Sequence, residues 1–340
     1  MATVDTRLRP RDKFVMALEG KQPPGHVPTF ELVFFLTMEL LGKVHPRHRI
    51  FTQWDQMSAR EKQLQVADAG DVYIATARHY NHSAIFIHGV SGMPRSEEHI
   101  AEYIREQTGD EFFLMRHGDA TMAIPNGDEM VALSYRLADE PAKVKTQQAA
   151  AVDAALERAS RLAGKDLFDG FALCSDYCFN SGPFLSPTQF AEFVTPYLAT
   201  LVQGYRQMGF YVIKHTDGNI MPIIDQLVQC QPHALHSLDP QAGVDIAKVK
   251  RLYGRQVCLI GNVNCGLLQT GTKKEIAESV RYALRHGMPG GGYIFSTSNC
   301  VYTGMPLQSY DLMMSIWEAE GTYDESPESA SQGQTQRQLS

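Results

Sequence analysis

The residues whose types can do chemistry fall in clusters, and each cluster closes a short apolar run. Glu31 follows Val-Pro-Thr-Phe; Arg78, His79, Asn81 and His82 follow a second run; Asp176 and Tyr177 close a third. His215, Asp217 and Asn219 end the next, then His236 and Asp239, then Asn262 and Asn264, and finally Ser298, Asn299 and Cys300. Carboxyls and imidazoles so placed serve as general acids, bases or substrate anchors, which makes Glu31, His79, His82 and Asp176 the candidates for proton chemistry. Tyr177 and Tyr302 offer aromatic walls with a hydroxyl, and Asp239, Asn262 and Asn299 offer polar contacts to a substrate. Taken singly, each residue has a plainer alternative: a buried polar group satisfied by hydrogen bonds, or an aromatic packed at a rim.

The elements that must position these residues follow from periodicity. Short runs rich in β-branched and aromatic residues predict strands at 27–32, 71–76, 169–175, 210–215, 234–239, 256–260 and 292–297. Helical patterns fit 141–163, 188–208, 245–253 and 306–319. Ser186-Pro187-Thr188-Gln189 and Thr272-Lys273-Lys274-Glu275 are capping boxes, the second opening a helix that ends at His286-Gly287. Strands alternating with helices imply parallel pairing through right-handed crossovers. A doubly wound sheet is disfavoured because no glycine-rich phosphate turn follows the first strand. The predicted architecture is therefore α/β, a (β/α)8 TIM barrel over residues 1–323, which gathers every polar cluster on the C-terminal rim of the strands. Residues 111–137 read as a β-hairpin insertion around Pro125-Asn126-Gly127-Asp128. From Asp324 onward the only apolar residues are Ala330 and Leu339, which predicts a disordered tail over 324–340.

Bulk properties narrow the partners. The 340 residues are 44% hydrophobic and 20% charged, ordinary for a soluble globular protein. A net charge of -7 argues against nucleic acid or an anionic membrane, both of which need a basic field. The apolar-rich stretch 30–41 is broken by Glu31, Thr37 and Glu39 and is too short to span a bilayer. Six scattered cysteines suit a reducing compartment, and the chain reads as cytoplasmic.

Several stretches together resemble the uroporphyrinogen decarboxylase superfamily. They are Arg11-Asp12-Lys13-Phe14 through Ala17-Leu18-Glu19-Gly20, Pro23 to Pro28, and Ser186 to Phe190 with Pro196. His215-Thr216-Asp217-Gly218-Asn219, Ile260-Gly261-Asn262-Val263 and Gly290 to Phe295 complete the set, which covers roughly residues 10–320 and is strongest after 170. The resemblance implies a (β/α)8 barrel and one of two activities. One branch decarboxylates a cyclic tetrapyrrole without a cofactor and supplies arginines after the first strand. Here no Arg occurs between Arg11 and Arg47, and Glu31 would repel an octacarboxylate. The other branch transfers methyl groups between small molecules, thiols and corrinoid proteins, with zinc on a His-x-Cys motif and a later Cys. This sequence has His215-Thr216-Asp217 and Cys300 at those places, so the resemblance implies zinc held by His215, Asp217 and Cys300. A carboxylate in place of one thiolate is an acceptable ligand and leaves a harder metal. The resemblance further implies a corrinoid on a separate partner protein and a homodimer of barrels. Alternatives stay open: Asp217 as a turn residue, Cys300 as a small buried hydrophobe, a cofactor-free decarboxylase or lyase using Glu31, Asp176 and the His79/His82 pair, or a non-catalytic ligand-binding barrel.

Overall fold

In the computed structural model, which describes residues 8–323, seven parallel strands pair in chain order. They are Ala84–Ile87 (β1), Phe113–His117 (β2), Gly170–Leu173 (β3), Tyr211–His215 (β4), Ala234–His236 (β5), Cys258–Val263 (β6) and Tyr293–Thr297 (β7). Every crossover contains a helix, as parallel pairing requires. The tail expected to be disordered, 324–340, lies outside the described residues. No helix of the described residues is long and apolar enough to cross a membrane.

The sheet curls until its edges nearly meet. Between them runs Pro28–Phe30: Phe295 N–H donates to the Pro28 carbonyl (2.9 Å), Phe30 N–H to Phe295 (3.4 Å), and Ser83 N–H to Thr29 (2.6 Å). The strand expected over 27–32 is thus an extended stave with a single bridge, Thr29 to Phe295. Pro28 has no N–H to give, which limits the ladder there.

Alternation of side chains then builds two layers. Inward-facing Ala84, Phe86, Phe113, Met115, Ala172, Ile213, Ala234, Ile260 and Ile294 form the interior core. The helix Pro10–Leu18 plugs its lower end, with the Phe14 ring 5.4 Å from Phe30 and 4.8 Å from Phe113. Two residues further along the same inward faces stand His215 on β4, His236 on β5 and Ser296 on β7. Polar groups therefore cap the apolar interior at the strand C-termini.

Five of the expected strands and all the expected helices are present, the 188–208 helix divided at Val194 into Pro187–Phe193 and Thr195–Gln207. Two expectations fail. Residues 71–76 lie inside the helix Ala59–His79, started by a capping box in which Ser58 Oγ accepts from Glu61 N–H (3.2 Å). Its buried Ala69, Val72, Tyr73, Thr76 and Ala77 recur at helical spacing, and Gly70 meets the Tyr103 ring of the helix Ser96–Thr108. β-Branching lowers helix propensity by only about 0.7 kcal/mol per residue or less, which such packing outweighs. The second failure is the hairpin at 111–137. Its first arm is β2, flanked in parallel by β1 and β3, and its second is the helix Glu129–Asp139, which buries Leu133 and Leu137 one turn apart. The Asn126 backbone carbonyl accepts from Glu129 N–H (2.9 Å) in the turn that leads into that helix. The antiparallel hairpin of this fold lies at Cys178–Phe179 and Gly182–Pro183.

Candidate active site

β4 ends at His215, and the chain turns at Gly218 with φ of 77°. A Cβ at Gly218 would lie 2.6 Å from the Cys178 carbonyl oxygen, so only glycine lets the loop after β3 come this close. That approach sets Asp176 beside His215 and Asp217. Asp217 N–H donates to Asp176 Oδ1 (3.1 Å), and His215 Nε2 stands 3.7 Å from Asp176 Oδ1 and 3.5 Å from Asp217 Oδ1. One ligand-capable atom from each of the three residues lies within 4.8 Å of the others. Asp217 Oδ2 accepts from Asn299 Nδ2, while the buried Asp217 Oδ1 has no hydrogen-bond partner. Burial, then the like charge of Asp176, pushes the Asp217 carboxyl up to about 7. Burial holds His215 down to about 4, with Asp176 pulling the other way. At neutral pH the Asp217 carboxyl is therefore near its midpoint, beside an uncharged His215 ring.

Behind His215 runs a buried polar chain. His215 Nδ1 is 2.7 Å from His236 Nδ1, and His236 Nε2 is 3.4 Å from Ser296 Oγ. Ser296 Oγ lies 3.2 Å from Glu31 Oε2, and Thr297 Oγ1 lies 2.6 Å from the same oxygen. Glu31 Oε1 accepts from Thr297 N–H (3.2 Å) and Tyr310 Oη (3.3 Å), and Tyr310 Oη reaches His82 Nε2 (2.9 Å). Burial pushes Glu31 up to about 8 despite the hydrogen bonds from Thr297, so it is a carboxylic acid at neutral pH. The consequence is measurable. The folded chain keeps a proton between the ordinary value of 4.5 and about 8 that the unfolded chain has lost. The stability this contributes is complete at the acid end and is lost as pH rises through the folded value. From about pH 5 to about pH 8 the wild type should lose on the order of a few kcal/mol relative to Glu31→Gln in guanidinium unfolding. Parallel pH profiles for the two proteins would show that Glu31 is ionised throughout.

Lys214, on the opposite face of β4 from His215, is fully buried. Its Nζ contacts Asp119 Oδ2 (2.8 Å), the Ser175 carbonyl (2.9 Å) and the Leu173 carbonyl (3.2 Å), and lies 4.2 Å from the Tyr177 ring centre. Asp119 also accepts from Ser175 N–H (2.9 Å) and from Thr121 through Oγ1 (2.6 Å) and N–H (2.9 Å). Burial opposes ionisation of Asp119, but Lys214 and these donors hold it below the usual carboxylate range. The pair therefore clamps residue 175, the neighbour of Asp176.

Residues 170–319 match the uroporphyrinogen decarboxylase (URO-D) family model. The match spans 150 of the 340 residues, and over that stretch the chain is similar to the URO-D family. The fold is similar to that of a methyltransferase from Methanosarcina mazei, which superposes with a TM-score of 0.70 at 15% identity, covering 92% of this chain and 99% of that one. A Xaa-Pro dipeptidase with bound methionine gives a TM-score of 0.45 at 13% identity, over 87% of this chain and 73% of that one, too weak for any argument. No curated protein matches the sequence.

Not every residue singled out from the sequence reaches the centre of this site. His79 is exposed at the end of its helix, against the Tyr80 ring, because the run before it is helix and not strand. His82 is buried behind Tyr310, so Glu31, Asp176, His79 and His82 do not form one constellation. Cys300 is half-buried outside the cluster of three; burial, then Asp217, pushes its thiol up to about 12. Tyr177 packs beneath Lys214 with its hydroxyl 2.5 Å from Thr121 Oγ1. Asp239 accepts from Gln241 N–H (2.9 Å) at a short turn, Asn262 Nδ2 donates to the Leu238 carbonyl (3.0 Å), and Tyr302 Oη meets Gln269 (2.6 Å). Asn299 alone of the expected polar contacts touches the cluster, through Asp217. Sequence reasoning missed Lys214 and Asp119. A lysine inside the apolar run Tyr-Val-Ile-Lys-His was the available signal, since a strand lined with apolar residues buries whatever it carries.

Proposed function

We propose that this chain is a methyltransferase-like enzyme whose reacting centre is the Asp176, His215 and Asp217 cluster, on a (β/α)8 barrel that counts Pro28–Phe30 as its eighth stave. The carrying observation is the convergence of an imidazole nitrogen and two carboxylates, one with a buried oxygen that nothing donates to. A buried acceptor of this kind is costly unless a cation meets it. Zinc fits the donor set: imidazole nitrogen and carboxylate oxygen are both accepted ligands, and His236 on the other ring nitrogen is the outer partner that ligating histidines carry. His215, Asp217 and Asp176 would hold it, with the Cys300 thiol as the neighbouring donor. When bound, zinc would supply Lewis acidity toward an oxygen or sulfur of the substrate.

The chain's own residues supply the rest. Asn299 orients Asp217, and the Lys214–Asp119 pair fixes the backbone that carries Asp176. An oxygen-rich donor set favours an O-methyl compound over a thiol as the activated partner. Two carboxylates at the centre of a chain with net charge -7 would repel an octacarboxylate tetrapyrrole, which weighs against decarboxylation of that substrate. Likeness in fold to a methyltransferase is consistent with methyl transfer, and a corrinoid on a separate protein as the other methyl carrier is what the resemblance of the sequence implies. The test is metal analysis of protein purified without a metal-affinity tag, with cobalamin assays. Methanol or a small methyl ether is offered with cob(I)alamin, and methylcobalamin with a small thiol. About one zinc per chain with methyl transfer in either assay supports the reading. Neither metal uptake nor transfer overturns it.

A further inference from the structure

Each hydroxyl and each neutral imidazole in the chain behind His215 has one hydrogen to give, so its direction can be counted out. Glu31 Oε1 takes two donors, Thr297 N–H and Tyr310 Oη, which makes it the carbonyl oxygen of the acid and leaves the hydrogen on Oε2. Thr297 Oγ1 lies 2.6 Å from Oε2 and 3.0 Å from the Asn299 carbonyl, which can only accept. Both contacts are satisfied when Glu31 donates to Thr297 and Thr297 donates to Asn299; any other assignment leaves one of them without a hydrogen. Oε2 then accepts from Ser296 Oγ (3.2 Å). Ser296, having given its hydrogen, accepts from His236 Nε2–H (3.4 Å). His236 is left bare at Nδ1 and accepts from His215 Nδ1–H (2.7 Å). His215 is therefore bare at Nε2, the nitrogen that faces Asp176 and Asp217.

We propose that Glu31 is a positioning residue for His215: through Ser296 and His236 it fixes the tautomer that turns an unprotonated Nε2 toward the cluster. The inference rests on the reading of His215 as the outward-facing donor of the site, and not on which ion or substrate meets it. Its physical root is the burial of Glu31, which keeps a hydrogen on a carboxyl at neutral pH. The tautomer matters because only a bare nitrogen can ligate a metal or take a proton.

Two variants change the direction of the chain in different ways. Ser296→Ala removes the link without adding bulk, leaving His236 and His215 free to exchange tautomers. In Glu31→Gln the two donors at Oε1 hold the amide oxygen there, so the amide nitrogen takes the Oε2 position and donates to Ser296. Ser296 must then donate to His236, and the run reverses until His215 carries its hydrogen on Nε2. Long-range proton–nitrogen NMR on metal-free protein with 15N-labelled histidine reads this directly, the His215 signals being those absent in His215→Gln. The wild type is expected to show Nδ1–H, Ser296→Ala a mixture, and Glu31→Gln mainly Nε2–H. Zinc affinity should fall about 10- to 100-fold in both variants. A wild-type His215 protonated on Nε2, or a tautomer unchanged in folded Ser296→Ala and Glu31→Gln, overturns the proposal. If the tautomer moves as expected but no form takes up zinc, the positioning role stands and the metal reading falls.

Discussion

Replacing Lys214 by Met is expected to destabilise the folded chain by about 3–5 kcal/mol, because it leaves the Asp119 carboxylate buried without its counter-charge. The two side chains are 0% and 1% exposed at 2.8 Å, so water cannot take over the role of the ammonium. Asp119 would keep its bonds to Thr121 and Ser175, which is why the loss stays below the full price of an unpaired buried ion. The pH dependence should change sign. In the wild type Asp119 titrates below its ordinary value and so contributes stability at neutral pH that is lost on acidification. In Lys214→Met burial acts without Lys214 to oppose it, and stability should instead fall as pH rises. Removing both charges, as Lys214→Met with Asp119→Leu, is expected to recover much of the loss, since a buried pair is worth little against an apolar replacement. Chemical denaturation of the three proteins decides it. A single variant within about 1 kcal/mol of wild type would mean that water reaches Asp119.

Asp217→Asn is expected to lower zinc retention about 100-fold or more while leaving the fold close to wild-type stability. The amide can turn its oxygen to Asn299 Nδ2, which keeps that hydrogen bond and directs N–H groups into the space between His215 and Asp176. It also removes the like-charge contact that helps push the Asp217 carboxyl up to about 7, so folding need not suffer. Equilibrium dialysis against zinc, read beside thermal unfolding, separates loss of a ligand from loss of structure. Zinc held as tightly as by the wild type would remove Asp217 from the donor set. Cys300→Ser is the informative companion. With Asp176 as the third ligand its effect should stay under about tenfold, whereas a thiolate ligand would make it as damaging as Asp217→Asn.

Local sequence determined the pieces whose cause is local. The capping boxes at Ser186 and Thr272 open helices where Ser, Thr, Gln and Glu side chains reach their own backbone three residues away. The strands from residue 170 onward were legible because their side chains are buried on both faces, which leaves an apolar run between turn residues. The placing of His215 was legible for the same reason, since it closes such a run. Tertiary structure decided whatever depends on a partner distant in sequence. The run at 71–76 suits strand or helix by its own composition, and packing on the helix Ser96–Thr108 selected helix. β1 has only four residues and becomes a strand because β2 pairs with it. The grouping of Asp176 with Asp217 depends on the close approach of two loops at Gly218, and the hydrogens behind His215 are directed by Glu31 from the far end of the chain. Periodicity reports which face of an element is buried, but not against what. The chemistry of this site is set by what each buried polar atom meets, and that is fixed only when the sheet curls.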